Sequence, residues 1–192
     1  DLGVYGSGFQ AETQIEAISR VKNIKSCIVY SRNSDNREKF CEKMTEKLGF
    51  SLEPTDDPKK SAIDKDVIVT VTNSSEPVLM GDWISSSTHI NAAGSNIASK
   101  KEIDLEVVEK SDLIVVDDLN QAKTECGDLI QAGVGFDWSN VLLLEDIVSG
   151  KIKRSNENIS LFESQGIALE DIAIGFRLLQ KANNENIGTE LS

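Results

Sequence analysis

Val4-Tyr5-Gly6-Ser7-Gly8-Phe9-Gln10-Ala11 decides how the rest of the chain is read. It has the form of a strand end, a glycine turn and a helix start. Gly6 lets the chain reverse sharply. Gly8 carries no Cβ, so a diphosphate can lie against the backbone, and Ala11 is small enough for the helix to pack close to the strand. The helix N-terminus then presents free N–H groups and the positive end of its dipole. Three small residues at this spacing also occur in ordinary turns, so the flanks decide. Ala11, Ile15, Ile18 and Val21 follow at helical spacing, and the apolar run Cys27-Ile28-Val29-Tyr30 supplies the second strand of a βαβ unit. The stretch reads as a dinucleotide turn, with a purely structural turn as the alternative.

The same alternation continues outward. Strands are expected at residues 2–5, 26–31, 50–53, 66–71, 88–93, 112–116 and 159–162. The 66–71 run is rich in β-branched residues, as suits a strand covered on both faces. Helices are expected at 9–21, at 36–48 behind the caps offered by Asn33-Ser34-Asp35, from Asp57-Pro58 to 63, at 104–110, after Asp117, and at 168–182. Residues 141–148 are strongly apolar and read as a buried helix or a turn-rich segment. Alternating strands and helices define an α/β fold with a doubly wound, mostly parallel sheet of the Rossmann NAD(P)-binding type. It occupies residues 1–182, and a polar tail covers 183–192. The glycine turn begins at residue 6, which leaves the first strand little lead-in; the chain reads as a piece of a longer protein cut near its nucleotide domain.

Composition excludes several partners. The 192 residues carry a net charge of −12, so phosphate backbones and anionic lipid repel the chain, and neither nucleic acid nor membrane is expected. No apolar run approaches the ~20 residues that span a bilayer, and no secretory leader is recognisable. Cys27, Cys41 and Cys126 are odd in number and widely spaced, which points to buried thiols and a cytoplasmic setting. One histidine and no paired cysteines give no expected metal site.

Ligands of open α/β sheets bind outside the carboxyl ends of the strands. The residues that follow the strands are small or polar: Gly6, Gly8, Phe9 and Gln10; Ser31 and Arg32; Thr72; Gly94-Ser95-Asn96; and Ser164. Enzymes selecting NAD usually carry an acid after the second strand. Ser31 and Arg32 stand there instead and suit a 2′-phosphate, so NADP is the expected cofactor, with NAD the alternative. His89, at the start of a buried strand, reads as a satisfied structural residue rather than a base, and Asp117 as a helix cap. Lys100 and Lys101 read as a solvated turn, and Trp83 and Trp138 as packing residues.

His89-Ile90-Asn91-Ala92-Ala93-Gly94-Ser95-Asn96 with Lys100-Lys101-Glu102-Ile103-Asp104, and Leu161-Phe162-Glu163-Ser164-Gln165-Gly166-Ile167-Ala168-Leu169-Glu170-Asp171, resemble segments of the ornithine cyclodeaminase/μ-crystallin family. The glycine turn and Val115-Val116-Asp117-Asp118 fit it as well. The resemblance implies an oxidoreductase acting on the C–N bond of amino or imino acids, of the alanine dehydrogenase or ketimine/pyrroline-2-carboxylate reductase type. It also leaves open an ornithine cyclodeaminase or a non-catalytic NADPH-linked binding protein. A substrate and dimerisation domain would precede this one, the full-length protein would be a homodimer, and the chain alone would bind cofactor without turnover. The resemblance places Phe9 and Gln10 at the diphosphate and Ser31 and Arg32 at the adenosine ribose. Thr72, His89, Ile90, Asn91, Ala92, Lys100 and Ser164 would line the remainder towards the nicotinamide. Cyclodeaminases carry an aspartate where this chain has Asn96. Asn96, the candidate catalytic position, can orient a substrate but cannot take up a proton, which favours simple hydride transfer.

Overall fold

The computed structural model describes residues 1–156 and 158–189. Strands β1 (Leu2–Tyr5), β2 (Cys27–Tyr30), β3 (Leu52–Thr55), β4 (Val67–Thr70), β5 (His89–Ala92), β6 (Leu113–Val116), β7 (Val141–Leu143) and β8 (Ser160–Glu163) form one sheet. Its order among the described residues is β3-β2-β1-β4-β5-β8-β6-β7, with parallel pairing throughout. The helices are α1 (Phe9–Val21), α2 (Ser34–Leu48), α3 (Leu105–Lys110), α4 (Leu119–Glu125), α5 (Gly127–Ile130), α6 (Leu144–Val148) and α7 (Ala168–Glu185). The α/β class and the parallel sheet agree with the expectation from sequence.

Side chains alternate across each strand. Leu2, Val4, Val29 and Val69 pack on one face against Ile15 of α1 and Phe40 and Met44 of α2. Tyr5, Ile68, Ile90 and Leu161 pack on the other against Val107, Ala122 and Leu129 of α3, α4 and α5. Burying each large apolar side chain contributes about 1.5–3 kcal/mol, so both faces hold the sheet. Gly3 permits one close approach: a Cβ there would sit 1.7 Å from the Ser61 carbonyl oxygen. The Pro58–Ser61 turn is thereby pressed onto β1, and the Tyr5 hydroxyl donates to the Pro58 carbonyl at 2.6 Å.

Three local expectations are corrected. The strand expected at 50–53 is Leu52–Thr55. Gly49 ends α2 in the left-handed region (φ 78°), and the Leu52 N–H donates to Thr45 Oγ1 at 2.9 Å, so pairing starts two residues later. Pro54 is tolerated because β3 is an edge strand. The 141–148 stretch divides into edge strand β7 and helix α6, because Val141 to Leu143 pair with β6. An apolar run alone does not distinguish the two. Asp117 is not the helix cap; Asp118 is, accepting from the Gln121 N–H at 2.8 Å. Residues 183–185 of the expected polar tail continue α7, and 190–192 lie outside the described residues.

Candidate functional site

Strand order runs outward in opposite directions from β1 and β4, through β2 and β3 on one side and β5 onward on the other. Connections diverge at that point and leave a crevice beyond the carboxyl ends of the strands. Here it has a volume of about 530 Å³ and is lined by Gly6, Ser7, Gly8, Phe9, Gln10, Tyr30, Ser31, Arg32, Asn33, Asn36, Thr72, Asn73 and Ser74, with Val71 and Val78.

Each wall follows from local sequence. Gly6 has φ 115°, a conformation L side chains rarely adopt, and a Cβ there would lie 2.5 Å from the Val71 carbonyl oxygen. Gly8 is different. Its backbone is extended (φ −95°, ψ −175°), and a Cβ there would meet nothing within 4 Å. Its space opens on the crevice. Gly8 is the N-cap of α1 and offers no side-chain hydrogen bond, so the first-turn N–H groups keep their capacity for a ligand. Phe9 is 80% exposed beside it.

The second wall is the turn after β2. Ser7 Oγ donates to Ser31 Oγ at 3.0 Å, joining the two loops. Arg37, buried on α2, donates to the Ser31 carbonyl at 2.5 Å and fixes the turn. Arg32 Nη2 donates to Asn73 Oδ1 at 3.4 Å, across to the loop after β4. Asn33 caps α2 by accepting from the Asn36 N–H at 2.8 Å. No acidic side chain lines the crevice among the described residues, although the chain carries a net charge of −12. Arg32 is the charged side chain in that lining, and the N-termini of α1 and α2 both face it. The potential there favours an anion.

Of the residues expected from sequence, Gly6, Gly8, Phe9, Gln10, Ser31, Arg32 and Thr72 meet in this crevice. His89, Ile90, Asn91, Ala92, Asn96, Lys100 and Ser164 lie outside its lining. Ala92 and Ser164 remain close to the carboxyl edge: Ser164 follows β8, and its N–H donates to the Ala92 carbonyl at 2.9 Å. His89 pairs with Val67, level with Leu2, at the amino end of the sheet. It stands three residues below Ala92, or roughly 10 Å. Ile90 is enclosed in the core with 0% exposure and has no surface to offer a ligand. Neither side chain reaches the crevice lining. His89 shares its ring nitrogens with Ser160 Oγ at 2.8 Å and Asn91 Oδ1 at 2.9 Å, and burial lowers its pKa and keeps it neutral. Asn91 is engaged in that pair. Asn96 is exposed on the loop after β5, and the Lys100 carbonyl accepts from Ser95 Oγ at 3.1 Å, folding that loop onto itself.

Carboxylates support the loops beside the crevice, Asp117 half-buried and Glu102 and Asp128 buried. Asp117, at the end of β6, accepts from Ser164 Oγ at 3.2 Å, from the Gln165 N–H at 3.1 Å and from the Gly166 N–H at 2.9 Å. Glu102 accepts from the Thr72 N–H and, at 2.7 Å, from the Gly94 N–H. Asp128 Oδ1 accepts from the N–H groups of Glu102 at 2.8 Å and Ile103 at 3.0 Å. Burial pushes Asp128 up to about 6 and raises Glu102 and, further, Glu163 above the ordinary carboxylate range. Sequence spacing singles out none of these contacts, because the partners lie far apart along the chain.

A parallel sheet with an open glycine turn at its switch point defines a Rossmann-type dinucleotide-binding fold. The chain belongs to the ornithine cyclodeaminase/mu-crystallin family, whose profile matches residues 1–186. It is 34% identical over 195 residues to alanine dehydrogenase of Archaeoglobus fulgidus, covering 99% of this chain and 59% of that protein. The structure of Thermococcus litoralis Delta(1)-pyrroline-2-carboxylate reductase in complex with NADH and L-proline superposes with a TM-score of 0.94 at 35% identity, covering 99% of this chain and 60% of that one. An archaeal alanine dehydrogenase dimer with bound NAD superposes with a TM-score of 0.91 at 31% identity, covering 100% and 60%. The chain thus spans about 60% of the length of these relatives.

Proposed function

We propose that this chain is the NADP-binding domain of an oxidoreductase acting on the C–N bond of amino or imino acids. The observation that carries the proposal is the acid-free crevice at the switch point, where Gly8 leaves the backbone bare at the N-terminus of α1. A bare N-terminal turn suits a diphosphate. When bound, the nicotinamide supplies the hydride. The chain's own residues hold and orient the cofactor. Gly6 shapes the turn, the α1 N–H groups hold the diphosphate, and Ser31 and Arg32 take the adenosine ribose and its 2′-phosphate. Thr72 and the loops after β5 and β8 face the nicotinamide side. Asn96, exposed on one of those loops, orients the amino or imino acid, and its amide takes up no proton.

The relatives named above act on amino or imino acids or bind NAD or NADH, which supports the class of substrate and cofactor. The dimeric neighbour supports a homodimer for the whole protein. The preference for NADP rests on Arg32 and on the absence, among the described residues, of an acid from the crevice lining. Titration with NADPH and NADH tests it. NADPH binds more tightly, and Arg32→Gln lowers NADPH affinity by about tenfold to a hundredfold, as loss of one charge-assisted contact implies, while leaving NADH affinity within about twofold. Tighter NADH binding by the unsubstituted chain would overturn the NADP assignment.

A further inference from the structure

We propose that Glu102 is a positioning residue whose ionised carboxylate buckles the loops after β4 and β5 together and so sets the nicotinamide-side wall of the crevice. The proposal rests on the dinucleotide reading above. Glu102 has 0% exposure and lies in the segment between β5 and α3. One carboxylate oxygen accepts from the Thr72 N–H and the other, at 2.7 Å, from the Gly94 N–H. Thr72 lines the crevice, and Gly94 opens the loop after β5. The Glu102 backbone ties in two more segments. Its N–H donates to Asp128 Oδ1 at 2.8 Å, and its carbonyl accepts from Val78 at 2.7 Å and Leu79 at 3.1 Å.

The fit is close enough to exclude a side chain at Gly94. A Cβ there would lie 2.4 Å from Glu102 Oε2 and 2.4 Å from the Thr72 carbonyl oxygen. Thr72 and Gly94 both present donors, so the group between them must accept at both oxygens. A carboxylate does this best; an amide places a donor against one of the two N–H groups, and a carboxylic acid leaves a hydroxyl oxygen, a weaker acceptor, on one side. Loss of the charge therefore weakens one side of the buckle and loosens one loop.

The surroundings make that charge responsive to pH. Asp128 on α5 and Glu163 on β8 face Glu102; Asp117 acts in turn on Glu163, and Lys101 on Asp128. Burial, then the Asp128 charge, favour the protonated form of Glu102, and the bonds to Thr72 oppose them. Protonation of Asp128 has a different consequence. Among the described residues its Oδ2 has no hydrogen-bond partner, while Oδ1 holds both N–H bonds, so a proton on Oδ2 leaves those bonds intact.

The test is calorimetric titration of the intact chain with NAD, whose diphosphate does not titrate between about pH 5.5 and about pH 8.5, alongside amide NMR of the same protein. Glu102→Gln binds NAD about tenfold more weakly at the upper pH, and its affinity is flat with pH. The unsubstituted chain falls towards the variant as pH drops. Its Thr72 and Gly94 amide resonances move together with one midpoint, and the fall in NAD affinity shares that midpoint; a merely structural side chain would titrate without moving the affinity. Equal affinities for the two proteins would overturn the proposal, as would Thr72 and Gly94 resonances that do not titrate together. If Glu102→Gln fails to fold, the pH profile and the two amides of the unsubstituted chain decide the matter. A chain that binds no dinucleotide at any pH would sink the dinucleotide reading, whereas the amide titration would still report on the buckle.

Discussion

Replacing Gly8 by aspartate should move stability and binding in opposite directions. The backbone at Gly8 is extended, and the added Cβ meets nothing within 4 Å, so the folded chain accepts the side chain without strain. Aspartate is a better N-cap than glycine by a few tenths of a kcal/mol, and its charge suits the positive end of the α1 dipole. Thermal unfolding should therefore be unchanged or rise by about 1–2 °C for a domain of this size. Binding should fail. A carboxylate about 4 Å from a diphosphate charge, at an effective dielectric of about 20, costs about 4 kcal/mol, or roughly a thousandfold in Kd. Gly8→Ala adds bulk without charge and displaces about one charge-assisted N–H contact at about 1.5–3 kcal/mol, which sets it between glycine and aspartate. Calorimetric titration with NADPH, paired with thermal melts, reads both effects. A Gly8→Asp chain that keeps its NADPH affinity would refute the phosphate role of the turn.

Two further perturbations separate structure from binding. Gly6→Ala places a Cβ 2.5 Å from the Val71 carbonyl oxygen at φ 115°, so it should lower the unfolding free energy even without cofactor, by about 1–3 kcal/mol of strain or more, read in urea titrations. Asp128 is pushed up to about 6 from 3.8 by burial, so the folded chain holds its proton more tightly than the unfolded chain. Stability should then fall as pH rises from about 4 through about 6 and level off above, by up to about 3 kcal/mol from this group; Glu102 and Glu163 act in the same sense. Asp128→Asn keeps the acceptor for Glu102 and Ile103, and its urea midpoint should depend less on pH; a slope equal to that of the unsubstituted chain would refute the assignment.

The parallel sheet was legible because strands covered on both faces read as unbroken apolar runs, as in Val67-Ile68-Val69-Thr70. The crevice was legible where its residues directly follow a strand: Gly6 and Gly8 after β1, Ser31 and Arg32 after β2, Thr72 after β4. His89 and Ile90 were drawn into the expected site because one run of residues spans β5 from the amino end of the sheet to the loop above it, and the sequence does not mark which end meets the crevice. Strand β7 was hidden because three apolar residues against an edge look the same as the start of a helix. Glu102, Asp117 and Arg37 carry no local signal. Glu102 reaches Thr72 across 30 residues and Asp117 reaches Gln165 across 48, so their roles exist only once the sheet has assembled.

The central claim is that the space above Gly8 is where a nicotinamide dinucleotide sits. Amide NMR of the chain during NADPH titration tests it most directly. Saturable shifts at Gly6, Gly8, Ser31, Arg32 and Thr72 are expected, with none at Leu113 or Phe136, which line a separate hollow of about 620 Å³ beside β6 and β7. Shifts confined to that second hollow, or no saturable shift at all, would contradict it.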